Sequence, residues 1–353
     1  MEYYVAGSNL FNQWFDDLDF FSEFRKMSKA EDPNFDFRLA NLIQINWSYN
    51  IFQLRKNLYL LGAFDGRKIA KKIDIPEECR KSPLVAGNDY NLVIGHNNSS
   101  ALWILNLEDN SIKNVYLDRE LPLEVSPKRN KTDNEIQKLA VNNFSCLYLT
   151  KGKNVYSGIL PSYIDTSHCN GHIIDVVCGY EHYMLLTSTG YVYTWGDGRR
   201  LQLGQDDTSN LETPTQVEAL AGIKIIKIKA GGWHSMALSE FGDLYVWGLN
   251  DTGQLGIKES ENDLKSYALP KLVDLYDDNE EVHLQIKDIA CGSKHSVLLL
   301  EDGSVWTTGA NKYGQLACPQ YPNSKNFNKV CVIKEACRLK CGPWTTVIVC
   351  KDT

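Results

Sequence analysis

The stretch Gly231-Gly232-Trp233-His234-Ser235 places an imidazole in a glycine-rich turn, where it could serve as a general base or bind a metal. A second candidate is His168-Cys169-Asn170-Gly171-His172, the closest histidine pair in the chain. A facial iron site needs two histidines and a carboxylate, and no carboxylate stands between these two. The surrounding residues are turn formers, so no metal or other cofactor is assigned. Neither CxxC spacing nor any other compact ligand set occurs; Cys337 and Cys341 are four apart without companions.

His234 is not unique. CGYEHYMLLTSTGYVYTWG from Cys178, AGGWHSMALSEFGDLYVWG from Ala230 and CGSKHSVLLLEDGSVWTTG from Cys291 align without a gap, which makes His182, His234 and His295 equivalent. Weaker copies carry Tyr49 and Tyr90 there, and the last carries Thr345. A catalytic histidine appears once in a chain. A repeated one is expected to be buried and to hydrogen-bond a neighbouring turn or blade.

The repeating tetrads begin at Asn46, Gly87, Asn142, Gly179, Gly231, Gly292 and Gly342, a spacing of roughly 50 residues that marks a repeat architecture. Each unit continues through a short apolar strand, a glycine turn and an aromatic strand ending in glycine. In three of them a polar turn follows, with Gln202, Gln254 and Gln315 at one equivalent position. In GIKIIKIKAGG, Ile226, Ile228 and Ala230 alternate with Lys227 and Lys229, the period of a strand with one wet face. Units of this size read as blades, and the sequence predicts an all-β, seven-bladed β-propeller. The last unit stops after its first strands, while Tyr4-Val5-Ala6-Gly7, Asn9 and Gln13 match the missing half. The N-terminal strand is therefore expected to complete the last blade and remove an exposed edge. Residues 1–353 are read as one propeller domain with inserted loops at 118–135 and 257–285.

Composition fits a folded chain: 353 residues, 43% hydrophobic and 23% charged. With 37 Lys plus Arg against 44 Asp plus Glu the formal charge is -7, and no basic run is long enough to form a tail. Direct binding to nucleic acid or an anionic membrane is not expected, because both require clustered cations. The N-terminal residues lack the pattern of a secretory leader, and no apolar run approaches the roughly 18 residues of a membrane span. Cys146, Cys178, Cys291, Cys341 and Cys350 sit in apolar runs as small hydrophobes, which favours a reducing compartment.

The Gly-x-x-His tetrads, the Trp195-Gly196 and Trp247-Gly248 strand ends and the Asn250-to-Gly256 turn resemble the repeat of the regulator of chromosome condensation family. That resemblance implies a seven-bladed propeller serving as a platform for protein partners, often on chromatin, in the nucleus with the cytoplasm left open. It further implies a JmjC-domain histone demethylase or hydroxylase as partner, histones reached indirectly, and a monomer within a hetero-complex. The founding member of the family is a nucleotide-exchange factor for a small GTPase; exchange is the alternative function, although no basic arm or exchange loop can be matched here.

The variable tetrad positions are expected to lie together on one rim. They supply the partner-binding candidates Trp47, Asp89, Glu181, Trp233, Lys294 and Trp344. Trp is enriched at binding hot spots, yet each Trp could equally pack into the adjacent blade. The acidic DLYDDNEE stretch in the 257–285 insertion could meet a basic surface or be a solvated run. Arg199 and Arg200 have no role legible in the sequence.

Overall fold

A computed structural model describes residues 1–27, 35–64, 67–80, 83–96, 99–117, 133–141, 146–258, 265–278 and 280–351. Among them, seven four-stranded antiparallel sheets form, with one additional two-stranded hairpin. The innermost strands are Ala40–Ile45, Pro83–Gly87, Ile136–Val141, Ile173–Cys178, Ile225–Ala230, Ile286–Cys291 and Ala336–Gly342. Each lies beside the next, and the last lies beside the first, so the sheets are the blades of a closed seven-bladed propeller. No described helix is long and apolar enough to cross a membrane.

Closure is made as the sequence predicts. Glu2–Ser8 pairs antiparallel with Thr345–Cys350, from Glu2 opposite Cys350 to Gly7 opposite Thr345. A second N-terminal strand, Phe20–Met27, then forms the outer edge of the same sheet. Half of blade seven thus comes from each end of the chain, and Tyr3, Val5, Val347 and Val349 share one core with Phe52 and Leu61 of blade one.

Six innermost strands carry a register shift at one position, after Leu42, Ile136, Ile173, Ile225, Ile286 and Ala336. A bulge of this kind bends and twists its strand. It also corrects the simple alternation read for GIKIIKIKAGG: Ile225 is buried in the core, whereas Ile226, the bulged residue, is 50% exposed. Ile174 is exposed for the same reason.

The 257–285 segment is not an inserted loop throughout: Tyr267–Val273 pairs with Leu244–Gly248 as the outer strand of blade five, and the part that follows it lies against blade six. Its hairpin, Tyr276–Asp277 with Glu280–Glu281, is held by Lys329 Nζ on Asp277 Oδ2 at 3.1 Å, and Lys258 Nζ sits 4.1 Å from the Tyr276 ring centre. Most of the 118–135 insertion, and the tetrad beginning at Asn142, lie outside the described residues.

Candidate functional site: the tetrad face

The Gly-x-x-His tetrad is the turn between the first and second strands of a blade. The glycine amide donates to the histidine carbonyl, at 2.9 Å for Gly179 and His182, 2.8 Å for Gly231 and His234, and 2.9 Å for Gly292 and His295. The imidazole then folds back over its own turn. A Cβ built on Gly231 would lie 2.1 Å from His234 Cε1, so glycine is required there by the ring. The glycine ending the aromatic strand has a different reason. Gly248 has φ +100°, and a Cβ would meet the Trp233 carbonyl at 2.6 Å.

Each of these imidazoles spans a blade boundary. Nε2 of His182, His234 and His295 lies 3.0, 3.0 and 3.1 Å from the hydroxyls of Ser235, Ser296 and Thr346 in the next blade. Those hydroxyls donate onward to the backbone carbonyls of Gln202, Gln254 and Gln315. A hydroxyl that donates to a carbonyl must accept from the imidazole, which places the histidine proton on Nε2. The Nδ1 atoms are buried without a partner. Burial keeps the rings neutral, pulling them down to about 3 for His182, about 4 for His234 and about 3 for His295. All three side chains are fully enclosed and have no access to an external substrate.

The glutamines hold the turn that follows the aromatic strand. Oε1 of Gln202, Gln254 and Gln315 accepts the amide two residues earlier, and Gln13 in the N-terminal segment does the same. Asn50 Nδ2 donates to the Gln13 carbonyl at 3.2 Å, so blade one reads blade seven as Ser235 reads Gln202.

One described copy differs from the alignment. In blade two the turn closes from the Asn88 amide to the Asn91 carbonyl, one residue later than a tetrad starting at Gly87 would. Asn88 Oδ1 accepts from the amides of Tyr90 and Asn91 and so sets this turn. Tyr90 is consequently 65% exposed and does not replace a histidine, whereas buried Tyr49 donates its hydroxyl to the Asn88 carbonyl at 2.6 Å.

The second tetrad positions form a backbone chain around the ring. The Tyr180 amide donates to the Gly232 carbonyl, Gly232 to Ser293 and Ser293 to Pro343, each at 3.0 Å. The chain ends there because proline has no N–H. Inside it opens a cavity of about 350 Å³, walled by residues that include Ile45, Val141, Cys178, Ala230, Cys291 and Cys341.

Two aromatic clusters stand at its mouth. Trp47 and Trp344 meet edge to face at 6.3 Å, with Tyr313 against both at 5.4 and 5.7 Å and Phe11 at 5.7 Å from Trp47. Trp233 meets Tyr180 at 5.0 Å, and Arg200 lies 5.9 Å from the Trp233 ring centre. The Tyr180 hydroxyl reaches Ser293, two blades away. Trp47, Trp233 and Trp344 are half-buried, packing on neighbouring turns while keeping part of each ring at the surface. The charged candidates are individually paired: Lys294 with Asp251, Glu181 with Arg199 at 3.5 Å, and Asp89 with the Ser48 hydroxyl at 3.3 Å. Phe11, Tyr313 and Arg200 have no tetrad position to mark them in the sequence. His168 Nε2 lies 2.7 Å from the Pro214 carbonyl, and no group of three His, Cys, Asp or Glu suited to a metal is found among the described residues.

Models of the regulator of chromosome condensation repeat match residues 189–238 and 242–299, and a second model of the same repeat matches 173–202, 225–254 and 286–315. The matched units are the blades whose histidine, hydroxyl and glutamine contacts are described above. Residues 173–315 are therefore made of regulator of chromosome condensation repeats. Among curated relatives, RCC1 domain-containing protein 1 of Mus musculus is 30% identical over 204 residues, which is 48% of this chain and 53% of that protein. The chain therefore matches about half the length of that relative. Human WBSCR16 shares the fold with a TM-score of 0.77 at 15% identity, covering 100% of both chains. Prp20p of Saccharomyces cerevisiae shares it with a TM-score of 0.72 at 17% identity, covering 98% of this chain and 90% of that one.

Proposed function

We propose that this chain is a non-catalytic scaffold that docks a protein partner on the tetrad face, in a chromatin-linked role in the nucleus. The observation that carries the reading is the pair of half-buried aromatic clusters flanking one cavity, Trp47 with Trp344 and Trp233 with Tyr180 and Arg200. Aromatic and arginine side chains held rigid at a surface are what interface hot spots are made of. The three repeated histidines, by contrast, are enclosed and neutral, engaged in joining blades.

The partner we propose is a JmjC-domain oxygenase acting on histone lysine methylation, the partner implied by the family resemblance of the tetrads and the closing Cys341-Gly342-Pro343-Trp344 segment. Calorimetry of the full chain with a purified JmjC oxygenase tests this, with Trp233→Ala and Trp344→Ala as variants. Binding lost in either variant supports the rim. Undiminished binding in both moves the site to the 257–285 segment, and no binding by the parent chain removes this partner.

A second reading is guanine-nucleotide exchange, favoured by fold likeness along nearly the whole chain to yeast Prp20p, a protein described with its binding properties to Gsp1p and histones. Nucleotide release from a nuclear small GTPase at the same rate with and without the chain would exclude it.

A further inference from the structure

The tetrads close the turn between the first and second strands of a blade, so the turn between the second and third strands lies at the opposite face. In blade five that turn is Glu240-Phe241-Gly242. One buried hydroxyl fixes it. Ser239 Oγ accepts from the amides of Phe241 and Asp243 at 3.2 and 3.0 Å and donates to Asp243 Oδ2 at 3.0 Å, which uses its full hydrogen-bonding capacity. Gly242 follows at φ +89°, where a Cβ would lie 3.0 Å from Gln285 Cβ. A turn held in this way presents Phe241 outward, and its side chain is 71% exposed. The equivalent positions are Thr189 in blade four and Asp302 in blade six, so the blade itself does not require an aromatic ring there.

Phe241 stands on the rim of a cleft of about 230 Å³ where blades five and six meet. Buried Leu244, Val273, Leu275 and Ile286, all members of the core these two blades share, form its floor. Leu272 and Leu284, each 45% exposed, join Phe241 at its edge. Large apolar side chains grouped around a cleft mark an interaction site, whereas singly scattered ones do not.

The ionisable side chains of the cleft wall are Asp243, Asp274, Glu281 and His283. No lysine or arginine lines it, and none of the three carboxylates is paired with one among the described residues; Glu281 meets only His283, at 3.6 Å. The acids just outside are matched, Glu240 by Lys224 at 2.7 Å and Asp277 by Lys329 at 3.1 Å. The negative charge left unbalanced is thus gathered beside the exposed apolar edge.

We propose that this cleft docks a short segment of a protein partner in which an apolar side chain is flanked by lysine or arginine. The apolar side chain covers Phe241, Leu272 and Leu284, and the flanking cations meet Asp243, Asp274 and Glu281. Nucleic acid and anionic lipid are repelled by the same carboxylates, and a second copy of the chain would bring a further formal charge of -7 toward them. The cleft lies at the other end of the blades from Trp47, Trp233 and Trp344, so the proposal goes beyond the scaffold reading of the tetrad face and does not depend on it.

The test uses the full chain and a fluorescein-labelled, capped peptide, Lys-Arg-Leu-Phe-Arg-Lys, followed by anisotropy. It should bind saturably, and the charge-reversed Glu-Asp-Leu-Phe-Asp-Glu should not. Affinity should fall at least about fivefold in Phe241→Ser and in the Asp274→Asn/Glu281→Gln double variant, and should weaken as salt rises from about 50 to about 300 mM. Phe241→Ser should unfold at the temperature of the parent, because the ring is exposed. If it unfolds earlier, the double variant, which leaves the turn untouched, decides. Trp233→Ala and Trp344→Ala should bind the peptide as the parent does, so a failure here is distinguishable from a failure on the tetrad face. No saturable binding, equal binding of the charge-reversed peptide, or undiminished affinity in a folded Phe241→Ser or in the double variant would each overturn the proposal. Self-association of the parent chain that Phe241→Ser abolishes would also overturn it, by assigning the cleft to a second copy.

Discussion

His234 Nε2 and Ser296 Oγ lie 3.0 Å apart across the boundary between blades five and six, and the same bond joins blades four and five and blades six and seven. The histidine of this repeat is thus an inter-blade fastener whose ring also dictates the glycine three residues before it.

Gly231→Ala should destabilise the chain by roughly 3 kcal/mol, because its Cβ would overlap the imidazole at 2.1 Å. The Cβ would also meet the Gly292 carbonyl oxygen at 2.7 Å, and Gly231 is not among the positive-φ glycines, so removing the ring should relieve the larger part of the clash but not all of it. The Gly231→Ala/His234→Ala double variant, compared with both single variants by urea unfolding, should show a coupling of about 1 kcal/mol or more.

Stability should fall on acidification between about pH 6.5 and about pH 4. Unfolded histidines take up protons near pH 6.5, whereas His182, His234 and His295 do so only at about 3, about 4 and about 3 when folded. The unfolded state therefore binds more protons in that window. The loss is about 2 kcal/mol per histidine at pH 5. Unfolding free energies measured at about pH 7.5 and about pH 5 should differ less in His295→Gln than in the parent chain.

Tyr3→Phe should loosen the closure. The Tyr3 hydroxyl donates to the Ala40 carbonyl at 2.8 Å and accepts from the Leu42 amide at 3.0 Å, tying the N-terminal strand to blade one. Losing it leaves two buried backbone groups unmatched, at a cost of about 1–3 kcal/mol. Hydrogen exchange at the Leu42 amide should accelerate accordingly.

Asp288→Ala should cost roughly 2–3 kcal/mol. The carboxylate joins Lys227 of blade five to the Leu339 amide of blade seven. The figure stays below that of a fully buried pair because the Lys227 side chain is 35% exposed. Chemical denaturation of the variant against the parent measures it.

The repeat, the blade number and the closure were all legible in the residue order. The turn that carries them is local: a glycine, the ring that covers it and the amide bond that closes the tetrad lie within four residues, so the pattern Gly231 to His234 is visible in one line of text. The Asn9 and Gln13 match exposed the closure for the same reason. Tertiary structure decided what crosses between blades. The bulge after Ile225 arises from pairing with the second strand and moves Ile226 outward. The blade-two turn is shifted by the side chain of Asn88. The meeting of Trp47 with Trp344 joins residues nearly a full chain length apart, brought together only when the ring closes. Lys227 and Lys229 read alike in sequence, and only the packing of blade six shows that the single carboxylate available there serves the first of them.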